Sequence, residues 1–273
     1  MTKKNVGPIF IFLSAICFSL GGLFTKLLPW QALSIGSGRC ILSTLVLLIF
    51  AKLTKHRFVF NKTVLFGGLC LCATVTTYVI ANKMTTAANA IVLQYSAPVF
   101  ILLFSFLIFH KKPNKLELMS CLAVFLGIGL FFLDALDTGG MAGNLVALSS
   151  GFFYAFVCMM NSFKEADPMS SMLIGHSLSA LIGFPSLIQE TTFTPATITC
   201  ILVLGVFQLG LGYVFFTEGL KTTAPISVSL ISTVEPILNP ILVAVFYGET
   251  VTLLSLLGAM IVIFTVSFYN IKQ

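Results

Sequence analysis

Ten stretches of this chain, at 8–28, 32–50, 64–81, 87–109, 116–133, 143–163, 169–188, 198–216, 224–247 and 252–269, run almost without charge for about 20 residues each. That length of helix crosses a bilayer core about 30 Å thick. Lipid offers no hydrogen bonds, so only helices and closed barrels satisfy the backbone there. Barrel strands alternate apolar with polar residues, whereas these runs are continuously apolar. The pattern predicts an all-α integral membrane protein with ten transmembrane helices. Composition agrees, because 9% of the residues are charged, against roughly a quarter in soluble domains. A soluble enzyme, a nucleic-acid binder and a disordered scaffold are excluded on that ground. The net charge of +6 belongs to the gaps between apolar runs and implies no nucleic-acid partner.

Those gaps are short enough for their bases to set orientation. With a cytoplasmic N-terminus, the inner side receives Lys3, Lys4, Lys52, Lys55, Arg57, Lys62, Lys111, Lys112, Lys115, Lys164, Lys221 and Lys272. The outer side receives only Lys26 and Lys83, beside Asp134, Asp137, Glu190 and Glu249. Twelve bases against two predict a multi-pass protein of the cytoplasmic membrane, and an even number of spans leaves both termini in the cytoplasm. Lys3 and Lys4 before the first run have a signal-peptide outline, but that run is long enough to span, and nine more follow. It reads as a retained helix. All seven cysteines lie inside apolar runs and read as small packing residues. No His or carboxylate spacing completes a metal set, so neither a metal nor a cofactor is expected.

Displaced by 138 positions, the sequence begins to match itself: Gly67 falls on Gly205, Lys83 on Lys221, Thr85 on Thr223, Pro98 on Pro236 and Leu118 on Leu256. Gly7, Ser14 and Phe18 fall near Gly143, Ser150 and Tyr154. The span boundaries align as well, dividing the chain into repeats 1–137 and 138–273 with five helices each. An odd number of helices inverts the second copy. Inverted repeats recur in secondary transporters, with the substrate site near the midplane between them.

Several local strings sharpen this. They are Phe24-Thr25-Lys26 ending the first span, Arg39 in the second, and Tyr95-Ser96-Ala97-Pro98 in the fourth. Glu235-Pro236 in the ninth and Gly248-Glu249 before the tenth complete the set. In that order, over essentially the whole chain, the sequence resembles the drug/metabolite transporter superfamily, EamA-like branch. One departure stands out: His110-Lys111-Lys112 occupies the place in the first repeat where the second has Gly248-Glu249-Thr250. The resemblance implies movement of small metabolites, amino acids and related compounds by alternating access, and leaves the substrate open.

An ionisable residue inside a span is a functional-site hypothesis by default, because burying its charge is costly. Glu235 lies halfway along the ninth span, followed by Pro236 and Pro240, each of which removes a backbone donor. It could take a proton or a cationic group, or serve as a hydrogen-bonded structural carboxylate. Arg39 sits too deep for easy snorkelling and could clamp a carboxylate bidentately. A structural ion pair with Glu235 or Glu249 is its other reading. His176 in the seventh span could relay protons or simply pack. Lys26, near a span end, reads as a snorkelling residue. Tyr78, Asn82, Asn89, Gln94, Tyr95, Gln208, Tyr213 and Asn239 add neutral polar groups on the third, fourth, eighth and ninth spans. The fourth and ninth are equivalent in the two repeats, so their polar positions are expected to line one central cavity. The ladder Ala147, Gly151, Ala155 in the sixth span reads as close helix packing.

No phosphate-binding loop appears, and no set of catalytic groups is supported by spacing. The expectation is therefore a secondary carrier, not an enzyme, that exports small amphipathic metabolites, amino acids first, by rocking its two five-helix halves. A proton-coupled uptake carrier for an organic cation such as a choline-like compound is the alternative. It would use an aromatic cage, for which Tyr78, Tyr95, Tyr154 and Tyr213 are available. An intramembrane enzyme and a passive channel are further readings, disfavoured by the bare spans and by the repeat. The expected partners are a small-molecule substrate, protons and the lipid bilayer, with the chain acting as a monomer or a homodimer.

Overall fold

The structure, a computed structural model, describes residues 6–85, 87–131, 133, 140–247 and 252–272. The first three spans are α1 (Val6–Lys26), α2 (Ala32–Leu53) and α3 (Lys62–Met84). The fourth is broken into α4 (Ala87–Gln94) and α5 (Ala97–Phe109), and the fifth is α6 (Lys115–Phe131). In the second half, α7 (Met141–Met159) ends in a tight 3-10 turn at Met160–Ser162 and is followed by α8 (Pro168–Leu187). The eighth span is α9 (Pro195–Leu202), a π-helical segment (Val203–Leu211) and α10 (Gly212–Leu220). The ninth is broken into α11 (Pro225–Ser232) and α12 (Val234–Tyr247), and the tenth is α13 (Leu253–Lys272). Ten helical spans thus stand where the apolar runs predict them, and three of the ten are not single α-helices.

Helix starts follow local chemistry. Asn61 Oδ1 accepts the Val64 N–H at 2.8 Å to open α3, and Asp167 Oδ1 accepts the Ser170 N–H at 2.7 Å to open α8. Asn114 and Glu117 cap α6 reciprocally, each side chain accepting the other's backbone N–H at 2.8 Å. Such caps contribute about 1 kcal/mol each. Proline opens α8, α9 and α11, where its missing N–H leaves nothing unsatisfied.

Among the described residues, five helices are long and apolar enough to cross a membrane by length and composition alone. α8 is not one of them, although it has 20 residues. Its buried Ser170, Ser171, His176 and Ser179 explain why. α8 packs on α2 and α3 in the middle of the bundle, so it touches helices rather than lipid on its polar faces.

The packing comes in couples related by exchange of the repeats. α3 on α7 is matched by α10 and the π segment on α1, and α3 on α8 by the π segment on α2. α4 and α5 on α7 are matched by α11 and α12 on α1. α2 with α8, and α6 with α13, are their own counterparts. All of these join one repeat to the other, so the two sequence halves are interlocked and are not separate bodies. Spans 1, 2, 8 and 9 cohere, as do spans 3, 4, 6 and 7, and α2 meets α8 where the two groups join.

That joint is fastened at both ends. On one side of the bundle, the Trp30 indole N–H donates to the Thr192 carbonyl at 2.9 Å, and the Gln31 N–H to Glu190 at 2.8 Å. Ser34 and Ser186 share a 2.9 Å hydroxyl bond just below. On the lysine-rich side, His56 Nε2 lies 3.0 Å from Asp167, and the Val59 N–H donates to Ser170 Oγ at 3.0 Å.

Candidate functional site

Two helix breaks make the site. In the fourth span the α-helix stops at Gln94, turns through Tyr95 and Ser96, and restarts at Ala97 with Pro98 in its first turn. In the ninth it stops at Ser232, turns at Thr233 and restarts with Pro236 in its first turn. Tyr95 and Thr233 are 138 positions apart, the displacement that superposes the repeats. At each break the hydroxyl and the backbone N–H of one residue both donate to the carbonyl three residues back. Ser96 Oγ donates to the Leu93 carbonyl at 2.6 Å, and Thr233 Oγ1 to the Leu230 carbonyl at 2.6 Å.

The two breaks meet through one hydrogen bond, in which Tyr95 Oη donates to Glu235 Oε2 at 2.7 Å. The break also places Glu235 in the first turn of α12, where unpaired backbone N–H groups and the helix dipole attract an anion. Tyr95 is buried, while Glu235 is half-buried although its neighbours Thr233, Val234, Pro236 and Ile237 are buried. Around Glu235 the rings form a chain. Tyr95 meets Tyr154 edge-on at 6.3 Å, Tyr154 stacks on Phe216 at 6.5 Å, and Phe216 meets Tyr213 at 5.9 Å. Tyr213 in turn meets the His176 ring at 4.5 Å and Phe18 at 4.9 Å.

Arg39 on α2 is half-buried between buried Gly38 and Cys40. It stands close enough to Glu235, His176 and Tyr213 to act on each electrostatically. It makes no ion pair with any described carboxylate, and its Nε has no partner among the described residues. The structural pairing of Arg39 with Glu235 is thus not formed, and Glu249 lies outside the described residues. His176 is fully buried, yet neither ring nitrogen has a hydrogen-bond partner among the described residues. Gln208 on the π segment donates through Nε2 to the Phe18 carbonyl at 3.4 Å, while its Oε1 is buried and unpartnered.

Of the residues singled out from sequence, the fold gathers Glu235, Tyr95, Arg39, His176, Tyr213 and Gln208 around one centre. Tyr78 on α3 packs beside Ala81, Ala90 and Ala147. Gln94 is half-buried at the end of α4, beside the first break. The side chains of Asn239, Asn82, Asn89 and Lys26 lie outside the described residues.

Three features escape a sequence reading. Phe216, which links Tyr154 to Tyr213 in the ring chain, looks like an ordinary aromatic residue of an apolar run. The π segment has no counterpart in the unbroken α3, and only its Gly205 and Gly210, with Gly212 just after it, hint at irregularity. π segments of this kind frequently accompany functional sites. Gly151 is read correctly as a packing residue, but its role is particular. A Cβ there would lie 2.8 Å from the Gln94 carbonyl oxygen and 2.9 Å from the Leu93 carbonyl and Ser96 Oγ. Only glycine lets α7 press against the break.

A family model described as the EamA-like transporter family matches residues 5–133 and again 141–271. "Uncharacterized transporter YwfM" of Bacillus subtilis (strain 168) is 23% identical over 94% of this chain and 90% of its own length. "Solute carrier family 35 member G1" of Homo sapiens is 25% identical over 95% of this chain and 77% of its own. An "Uncharacterized transporter" of Archaeoglobus fulgidus is 25% identical over 94% and 93%. A solved crystal structure shares the fold at a TM-score of 0.84, with 15% identity over 98% of both chains.

Proposed function

Since the chain belongs to the EamA-like transporter family and is a membrane transporter rather than an enzyme, we propose that it is a secondary active carrier exporting small amphipathic metabolites, amino acids foremost, by alternating access. The observation that carries this reading is the 2.7 Å bond between Tyr95 and Glu235, made where both repeats break their helices. Broken helices at the midplane free backbone groups and charge for a ligand without exposing them to lipid. Glu235 receives a proton or the ammonium of a zwitterion, and Arg39, which makes no ion pair with a described carboxylate, receives its carboxylate. The ring chain from Tyr154 to Tyr213 offers an apolar side chain its wall.

The repeats are taken as 1–137 and 138–273, in line with the two family matches and the paired breaks. The lysine-rich loops are taken to lie in the cytoplasm, with both termini, by the positive-inside bias. On that orientation the inner segments α5 and α11 pack on each other, while the outer segments α4 and α12 lean on α7 and α1. This arrangement suits a carrier closed toward the cytoplasm. The moving bodies are then spans 1, 2, 8 and 9 against spans 3, 4, 6 and 7, pivoting on α2 and α8. One chain carries the whole site, so a monomer suffices and a homodimer would add nothing to it.

Glu235→Gln tests the reading. It should abolish the response of transport to a pH gradient while leaving folded protein in the membrane. A variant that keeps the full pH response removes Glu235 from the coupling role. The aromatic groups beside Glu235 favour one second reading, uptake of an organic cation. Competition by a quaternary amine in place of a zwitterion would select it.

A further inference from the structure

Hydroxyls on the helices of this protein bond, as a rule, to the carbonyl one turn back. Thr44, Thr74, Ser179 and Thr217 each donate to the carbonyl four residues earlier, at 2.6–2.9 Å. Three buried helical serines depart from the rule, with no partner for Oγ among the described residues: Ser14, Ser229 and, one turn after Arg39 on α2, Ser43. It does not stand alone. Both nitrogens of His176 on α8, Nε of Arg39 on α2 and Oε1 of Gln208 on the π segment are likewise buried and unpartnered. α2 packs on both α8 and the π segment, and the Tyr213 ring on α10, just beyond the π segment, lies 4.5 Å from the His176 ring.

We propose that the place where α2 packs against α8 and the π segment is a carboxylate subsite, in which Arg39, Ser43 and His176 donate to the acid group of a zwitterionic substrate. Buried polar groups almost always find partners, and a cluster left without them inside the protein is built for something else to satisfy. Arg39 supplies a permanent positive charge, which disfavours a cation. The donors available are the Arg39 Nε–H, one imidazole N–H and the Ser43 O–H, and a carboxylate accepts up to about four hydrogen bonds. His176 is then a specificity-determining residue for the acid group rather than a proton relay. The inference rests on the carrier reading above and adds the second pole of its site.

The test uses the full chain in proteoliposomes, with radiolabelled leucine counterflow competed by leucine, leucinamide or isoamylamine. His176→Phe keeps a ring against Tyr213 and removes both nitrogens, and His176→Gln keeps a donor and an acceptor. In the wild type, leucine should compete about 10-fold or more better than leucinamide, the scale of one hydrogen bond to a charged group. His176→Phe should weaken leucine about 10-fold and leave isoamylamine unchanged, while gaining thermal stability because two unpartnered buried nitrogens are gone. His176→Gln should recover leucine. Equal loss for leucine and isoamylamine in His176→Phe, with lowered stability, would make His176 a packing residue and overturn the subsite. If isoamylamine matches leucine in the wild type, the subsite falls while a carrier centred on Glu235 stands. Flux that no probe saturates overturns the carrier reading and the subsite together.

Discussion

Replacing Tyr95 by Phe deletes one oxygen and, with it, the bond that joins the two helix breaks. At 2.7 Å the Tyr95 to Glu235 contact has the length of a hydrogen bond to a carboxylate. Such bonds contribute about 1.5–3 kcal/mol. Tyr95→Phe should therefore destabilise the protein by about that amount, because the ring stays in place and only the donor is lost. In a Glu235→Leu background the acceptor is already gone and the Tyr95 hydroxyl is a buried group without its partner. There Tyr95→Phe should cost nothing or stabilise slightly. The double-mutant cycle then gives a coupling energy of about 1.5 kcal/mol or more. The assay is denaturant unfolding of the four proteins in one detergent, followed by circular dichroism. Equal cost of Tyr95→Phe in both backgrounds would refute the claim that this bond joins the breaks.

Gly151→Val should push α7 off the fourth-span break, since a Cβ already meets three oxygens at 2.8–2.9 Å. A loss of about 1–3 kcal/mol is expected from overpacking, with transport reduced further than the stability loss explains; the unfolding midpoint and initial flux of one preparation check both. Cysteines at Ser34 and Ser186, whose hydroxyls lie 2.9 Å apart, should form a disulfide on mild oxidation. If α2 and α8 are a fixed pivot, the cross-linked protein keeps at least about half its flux, since the link joins ends that stay together through the cycle. Abolished flux that returns on reduction would mean these ends part during the cycle.

The spans were legible because lipid leaves the backbone so few options that length and continuous apolarity nearly determine helix. α8 shows the limit of that signal: it is buried by other helices, so it tolerates four buried serine and histidine positions that a lipid-facing span would not. The chemistry-bearing residues were legible for a related reason. Arg39, His176 and Glu235 stand out because charge inside a membrane is expensive. What they touch was not. Whether Arg39 pairs with Glu235 depends on how α2 and α12 are placed by helices of the opposite repeat, which no local pattern encodes. Pro236 and Pro240 announced lost backbone donors in the ninth span, but the helix yields at Thr233, three residues before the first of them, where the Thr233 hydroxyl donates to the Leu230 carbonyl. The interlocking of the repeats was equally hidden, because the internal match says which helices correspond and nothing of which helices pack.

The most direct measurement is radiolabelled leucine counterflow in proteoliposomes, wild type against Glu235→Gln, with and without an imposed pH gradient. Saturable counterflow in the wild type, and loss of its response to the gradient in the variant, are the expected results. Flux that does not saturate, or a Glu235→Gln protein with the wild-type response to pH, would contradict an alternating-access carrier coupled through Glu235.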